Sequence, residues 1–499
     1  MTRPGTASHL IAFVERRPVA TFAFLAALHG AVWTLLPTLL YPNLPLDLIE
    51  ALTYGREWQL GYDKLPPLPW WSVEIMRHLV GVDAGYYLLA QISVLVALAL
   101  VFATARRVVG APGALAAVAI VDGLHYFGFT AAKFNHDVVQ LPFWALAGYA
   151  FHGALRQGRL RDWILLGFAL GAAAWAKYFV VILAAPLGLF ILLDPRARPA
   201  LRTPGPYVAA AVALLVVLPH LVWLVANDFL PFAYAEARSA PVRGLLDHAI
   251  RPLAFAGGQL GWLVPSLLIA LPLFFPRPAE RRPSAEPFDQ RIVTLMAFGP
   301  AALLIAGSAI TGRGLISMWG YPLWLFLGLW LVMTAKSVLT TARLGRMALT
   351  WAVVSGLYAI AFVVQYAVLP HFDHRYRASL FPGAAMAQHI SEGFRRETGR
   401  PLAYVIAGMW LGGNVSAYTP ERPRTLIDGK PARAPWIDLG DLAHRGAVVV
   451  WTDGDRNTLP PSYAAVAADA RVQPPFTLPM RWGHGDITVG WAIVAPQAR

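Results

Sequence analysis

VATFAFLAALHGAVWTLLPTLL, residues 19–40, decides the class of this chain. It is as long as the ~20 apolar residues an α-helix needs to cross a bilayer. Arg16 and Arg17 precede it and no small-residue cleavage site follows, so it reads as an uncleaved first span rather than a signal peptide. Comparable runs recur near 86–105, 112–127, 138–155, 162–177, 178–193, 206–226, 253–275, 291–310, 319–335 and 347–368. The expectation is a polytopic α-helical membrane protein with about eleven spans. A mean hydropathy of +0.51, with 57% apolar and 14% charged residues over 499 positions, excludes an ordinary soluble enzyme. The net charge of +13 resides mostly in short loops between the runs, where Lys and Arg set topology, so nucleic acid is not an expected partner. The absence of cysteine excludes disulfides and thiolate metal sites.

With the N-terminus cytoplasmic, Lys and Arg favour the cytoplasmic segments by roughly two to one. The acids Asp47, Glu50, Glu57, Asp63, Glu74 and Asp83 then fall in the first outward loop. The expected division is a transmembrane domain over residues 1–369, with 41–85 as its first periplasmic loop, and a periplasmic α/β domain over 370–499. In that second part, 382–396 reads as a helix and 402–406, 447–451 and 487–494 as strands. The stretch 276–287, PRPAERRPSAEP, reads as a cytoplasmic loop.

The first outward loop continues directly from the opening run and contains LPLDLIEALTYGREWQLGYDKLPPLPWW, residues 44–71. Asp47 followed by Glu50 fits a capping box at a helix start. The spacing fits less well a carboxylate held at the membrane surface as a general base. The proline pair Pro66 and Pro67 stiffens the backbone that presents Lys64, which either snorkels toward headgroups or neutralises a phosphate. Trp58, Tyr62, Trp70 and Trp71 could stack on sugar rings or form an interfacial belt.

In KFNHD, residues 133–137, Asp137 reads as a helix N-cap or as a second acid beside a substrate, with His136 a less favoured ligand. Lys177, next to Tyr178 at the junction of two runs, is costly in a membrane unless it snorkels or finds an anion. Arg243, within an outward stretch that also holds Arg238 and Arg251, and Arg313, before the tenth run, could hold a phosphate or ordinary anionic lipid. His371, Asp373 and His374 read better as a solvated linker than as a metal site.

Taken in order, DLIEA, GYDKLPPLPWW, NHD before a tryptophan-containing helix and the AKY of Lys177 and Tyr178 resemble a known family. It is the GT-C glycosyltransferases of the dolichyl-phosphate-mannose protein mannosyltransferase-like superfamily, whose bacterial members include the lipid A aminoarabinose transferase. The resemblance covers roughly residues 15–335. It implies an inverting hexosyl or pentosyl transferase in a bacterial inner membrane, working on the periplasmic face. It further implies a polyprenyl-phosphate-linked sugar as donor and an envelope lipopolysaccharide, lipid, polysaccharide or protein as acceptor. Carried across, Asp47 matches the catalytic base, Asp137 the second acid and Lys64 the lysine near the carrier phosphate. Glu50 matches less closely. Leu65 separates Lys64 from the prolines, where some members place lysine directly before them.

Around these are expected Lys177, Arg243 and Arg313 toward the carrier phosphate, and Tyr62, Asp63, Trp58, His136 and Tyr178 toward sugar or acceptor. No cofactor is required, and a divalent metal has room near Asp47 and Asp63. A lipid-linked sugar flippase would show internal repeats and midplane polar groups. An O-antigen polymerase or ligase would centre on arginines in large outward loops, and a non-catalytic membrane anchor for the C-terminal domain would need none of these motifs.

Overall fold

The computed structural model describes residues 16–497 except 239–240, 275–284, 336, 374 and 482–484. Most of the expected loop 276–287 therefore lies outside the described residues. The helices in chain order are α1 Pro18–Leu40, α2 Leu46–Gly55, α3 Leu68–Val80, α4 Ala84–Asp122, α5 His136–Val139, α6 Leu141–Gln157, α7 Leu160–Ala176, α8 Val181–Leu193, α9 Gly205–Ala226, α10 Leu230–Arg238, α11 Asp247–Ala270, α12 Pro287–Thr311, α13 Leu327–Thr334, α14 Thr341–Val363, α15 Gly383–Thr398, α16 Met409–Tyr418, α17 Leu439–Arg445 and α18 Ala464–Ala467. The strands are β1 Tyr404–Ala407, β2 Arg424–Ile427, β3 Ala447–Trp451, β4 Arg471–Pro479 and β5 Asp486–Val494.

Among the described residues, 6 helices are long and apolar enough to cross a membrane: α1, α4, α9, α11, α12 and α14 with their short extensions. The shorter α6, α7, α8 and α13 occupy the other expected spans. Two expected runs, 86–105 and 112–127, lie end to end in α4, which breaks at Gly110 where φ is 75°. Pro112 follows two residues later and cannot donate to the preceding turn.

The chain divides into two units. The first comprises Met1–Leu35, Lys64–Leu68 and Tyr87–Ala361. Its helices approach closely where side chains are small. On α7, a Cβ added at Gly167 would lie 2.3 Å from the Ala209 carbonyl oxygen of α9, and one at Gly171 would lie 2.8 Å from that of Ala213. Gly167→Ala is therefore expected to lower the melting temperature in detergent, at a cost of about 1–3 kcal/mol for overpacking against backbone. Gly188→Ala on α8, where nothing lies within 4 Å, is the neutral comparison. Polar groups also tie the spans. His29 Nδ1 lies 2.8 Å from Asp122 Oδ1, and Trp351 donates to Asp122 Oδ2 at 2.7 Å. This joins α1, α4 and α14.

The second unit comprises Leu36–Asp63, Pro69–Tyr86 and Phe362–Arg499. Its sheet has the order β2-β1-β3-β5-β4, parallel across β2, β1 and β3 and antiparallel across β3, β5 and β4. Every residue of β1 and β3 is buried, as expected for parallel strands covered on both faces. Met386, Ile390 and Phe394 of α15 pack with Val405, Val448 and Trp491 in one core. Leu442 of α17 packs with Ile406, Val449 and Trp451 in the other. The stretch expected as the first loop, apart from Lys64–Leu68, packs into this unit. Gly413 of α16 leaves room for α2, since a Cβ there would lie 2.6 Å from Ile49 Cγ2. The Leu44 amide donates to the Tyr418 hydroxyl at 2.7 Å, and the Asn43 amide donates to the Ser379 carbonyl at 3.1 Å.

Candidate active-site residues

Within the first unit, the KFNHD stretch and Lys177 meet. Asn135 is the N-cap of α5, its side chain accepting from the amides of Asp137 and Val138. Asp137 is thus released from the capping role its position suggests. Its carboxylate instead takes the Lys177 ammonium at 2.5 Å and the Gln140 side-chain amide at 3.0 Å. Both charged side chains are nearly buried, 9% and 12% exposed, so the pair is a desolvated one.

His136 is buried beside them, with Nε2 3.2 Å from the Pro66 carbonyl. Burial, together with the cations Lys177 and Lys64, holds its pKa well below the ordinary imidazole value, so it is a neutral group here. Pro66 belongs to the five-residue stretch Lys64–Leu68, so this contact anchors the backbone that presents Lys64. Lys64 Nζ lies over the Tyr234 ring, 5.3 Å from its centre.

The other first-unit candidates have partners of their own. The Tyr178 hydroxyl and His220 Nε2 are 2.9 Å apart, and the two rings stack. Arg313, an exposed residue, reaches Glu236 at 3.4 Å. Arg243 is exposed, and its backbone amide donates to Asp247 at 2.7 Å.

Within the second unit, α2 carries Asp47 and Glu50. Its N-cap is Pro45, which offers no side-chain bond, so Asp47 lies inside the first turn rather than capping it. A carboxylate there is stabilised by the positive end of the helix. Asp47 is half-buried, and Glu50 one turn later is buried.

Tyr62 and Asp63 are absorbed into the packing. Tyr62, only 1% exposed, donates to the Tyr54 carbonyl at 2.8 Å. Asp63 accepts from the Tyr54 hydroxyl at 2.7 Å and from Arg433 Nε at 2.7 Å. Burial, then the Asp63 and Glu50 charges, push the Tyr54 phenol upward, so it stays a donor. Trp58 is half exposed and stacks on Trp71 with ring centres 6.2 Å apart.

Three arginines in this unit went unnoticed in the sequence. Arg422 grips Glu74 through two bonds of 2.8 Å, Arg424 grips Glu57, and Arg433 bridges Asp63 and Asp428. Each pair joins positions more than 340 residues apart apart from the Asp428 bond. Periodicity and short motifs cannot report such pairs. The linker cluster resolves similarly: Arg377 holds Asp373 through bonds of 2.6 and 2.8 Å and lowers its carboxyl to about 2. His374 lies outside the described residues. Among the described residues no group of three or more His, Asp or Glu side chains is placed to hold a metal ion.

A family model described as dolichyl-phosphate-mannose-protein mannosyltransferase matches residues 64–223. The lipopolysaccharide core galacturonosyltransferase RgtA of Rhizobium johnstonii is 26% identical over 97% of this chain and 99% of its own length. The lipid A galacturonosyltransferase RgtD of the same organism is 28% identical over 45% of this chain and 48% of its own, so this match spans about half of that relative. Among solved structures, ArnT from Cupriavidus metallidurans bound to undecaprenyl phosphate superposes with a TM-score of 0.61. It is 14% identical over 96% of this chain and 99% of its own, and shares the helical membrane fold with a small C-terminal sheet.

Proposed function

We propose that this chain, which is similar to the bacterial GT-C glycosyltransferases and has the fold of ArnT, transfers galacturonic acid from a polyprenyl-phosphate carrier to the lipid A or core region of lipopolysaccharide. The observation that carries this reading is the near full-length similarity to a lipopolysaccharide core galacturonosyltransferase. It supports sugar, acceptor and reaction type together. In this reading the protein crosses the bacterial inner membrane about eleven times. Its N-terminus is cytoplasmic and its C-terminal unit periplasmic.

An acceptor hydroxyl oxygen attacks the anomeric carbon from the face opposite the carrier. Asp47 takes the hydroxyl proton, and the bond from that carbon to the phosphate oxygen breaks. The electron pair leaves with the polyprenyl phosphate, and the configuration inverts. Lys64 meets the developing phosphate charge, which a compact ammonium does well as a point charge. Lys177 is a second cation for the carrier and Asp137 its resting counterion. Glu50, Trp58, Tyr62 and Asp63 then act by holding the loop rather than by touching sugar, while Arg243 and Arg313 have the exposure to meet an anionic lipid.

The test is transfer by purified protein in lipid nanodiscs. Lipid A and core acceptors are presented with polyprenyl-phosphate galacturonate, or with carriers bearing neutral and amino sugars. Mass spectrometry of the acceptor is expected to show addition with the galacturonate donor. Addition only from another sugar would overturn the choice of sugar. Failure with every carrier, alongside measurable lipid translocation, would leave the flippase reading instead.

A further inference from the structure

We infer that the stretch from Arg422 to Trp436 is a clamp that positions the Asp47-bearing helix, which assigns a catalytic-positioning task to the C-terminal part of the chain. The inference rests on the reading of Asp47 as the base. Three arginines within this stretch, on either side of and within the edge strand β2, each grip a carboxylate from the Asp47 segment or its partner helix. Arg422 holds Glu74 of α3 through both oxygens and reaches the Leu52 carbonyl of α2 at 3.4 Å. Arg424 Nε lies 3.2 Å from both Glu57 oxygens, while its Nη2 also donates to the Trp436 carbonyl at 2.9 Å. Arg433 holds Asp63 at 2.7 Å. The Trp436 ring closes over the edges of Tyr54 and Tyr62, with centres 5.9 and 5.5 Å away.

The three carboxylates are taken almost wholly out of water, with Glu57 4%, Glu74 3% and Asp63 12% exposed. Forked guanidinium pairing fixes orientation as well as distance. Backbone strain gathers in the same place: Trp58, Arg422 and Asp428 have φ of 49°, 49° and 55°. Non-glycine residues persist there only where their surroundings over-determine the conformation. The helix being held needs such support, because ten residues are too few for a stable isolated helix in water. A base must also be held close to its productive geometry.

The clamp predicts a specific kinetic signature. Arg424→Gln is expected to lower kcat by about 10- to 100-fold, the scale of a 1 Å misplacement. KM for the lipid donor and the pH at which the base titrates should stay where they are. Arg424→Lys should fall between, since an ammonium lacks the fork. Amide hydrogen exchange across residues 46–63 should rise in Arg424→Gln and leave the membrane helices unchanged. Arg445→Gln, at an exposed arginine elsewhere in the same unit, is the control with unaltered kcat and exchange.

Should Arg424→Gln fail to accumulate, Glu57→Gln removes the same pair without stranding a carboxylate out of water, since Arg424 is the more exposed partner. Unchanged exchange at 46–63 in these variants would overturn the clamp, and so would raised exchange with unchanged kcat. Because exchange is read without substrate, it decides the matter even if the wild-type protein transfers no sugar, an outcome that would sink the functional reading alone.

Discussion

Asp47→Asn is expected to reduce transfer by about 10²- to 10⁴-fold in kcat, the usual contribution of a positioned general base. Donor KM should change little, because the amide keeps the shape of the carboxylate and loses only its affinity for a proton. The expectation follows from placement. Asp47 lies half-buried in the first turn of α2, at the positive end of the helix, as the resemblance places the base. Glu50, buried one turn further along, should behave differently: Glu50→Gln is expected to act through stability and leave the pH profile in place. Single-turnover rates over a pH series would separate the two. An asparagine variant within threefold of wild type would remove Asp47 as base.

Breaking the Asp137–Lys177 pair is the second large effect expected. Asp137→Asn strands a nearly buried ammonium, and Lys177→Met strands a nearly buried carboxylate. Either should cost about 3–5 kcal/mol, because desolvation of the remaining charge is no longer offset. Asp137→Asn with Lys177→Met should recover most of that loss in denaturant or thermal unfolding, since a neutral isostere of a buried pair is often as stable. Activity should not recover with it. If Lys177 turns from Asp137 to the carrier phosphate, the double variant keeps its fold and shows a raised donor KM. A single variant with an unchanged melting temperature would show that the pair contributes nothing to the folded state.

The membrane portion was legible because lipid imposes a length and a polarity on every span, and hydropathy reads both directly. The C-terminal part was legible where strands are buried on both faces, as in Val448 to Val450. It was missed where they are short or carry prolines, as in β2 and in β4 with Pro474 and Pro475. The readings of Asp47 and Asp137 as caps turned on a single position. Pro45 and Asn135, each two residues earlier, take those places, and Asn135 is among the preferred capping residues. The clamp left no local trace, since Glu57, Asp63 and Glu74 find their arginines only after the chain has crossed the whole membrane region. Of the six acids in the first loop, Glu57, Asp63 and Glu74 are sockets for these arginines.

The compact units change at 35/36, 63/64, 68/69, 86/87 and 361/362, so the C-terminal quarter of the chain is not an appendage that evolution or an engineer can exchange alone. A chimera that replaces only residues 370–499 with those of a relative would inherit foreign arginines opposite resident carboxylates. The tradeable piece is discontinuous: 36–63, 69–86 and 362–499 have to travel together. Acceptor preference, if it resides in that unit, would then pass between enzymes only as a bundle of three coordinated segments.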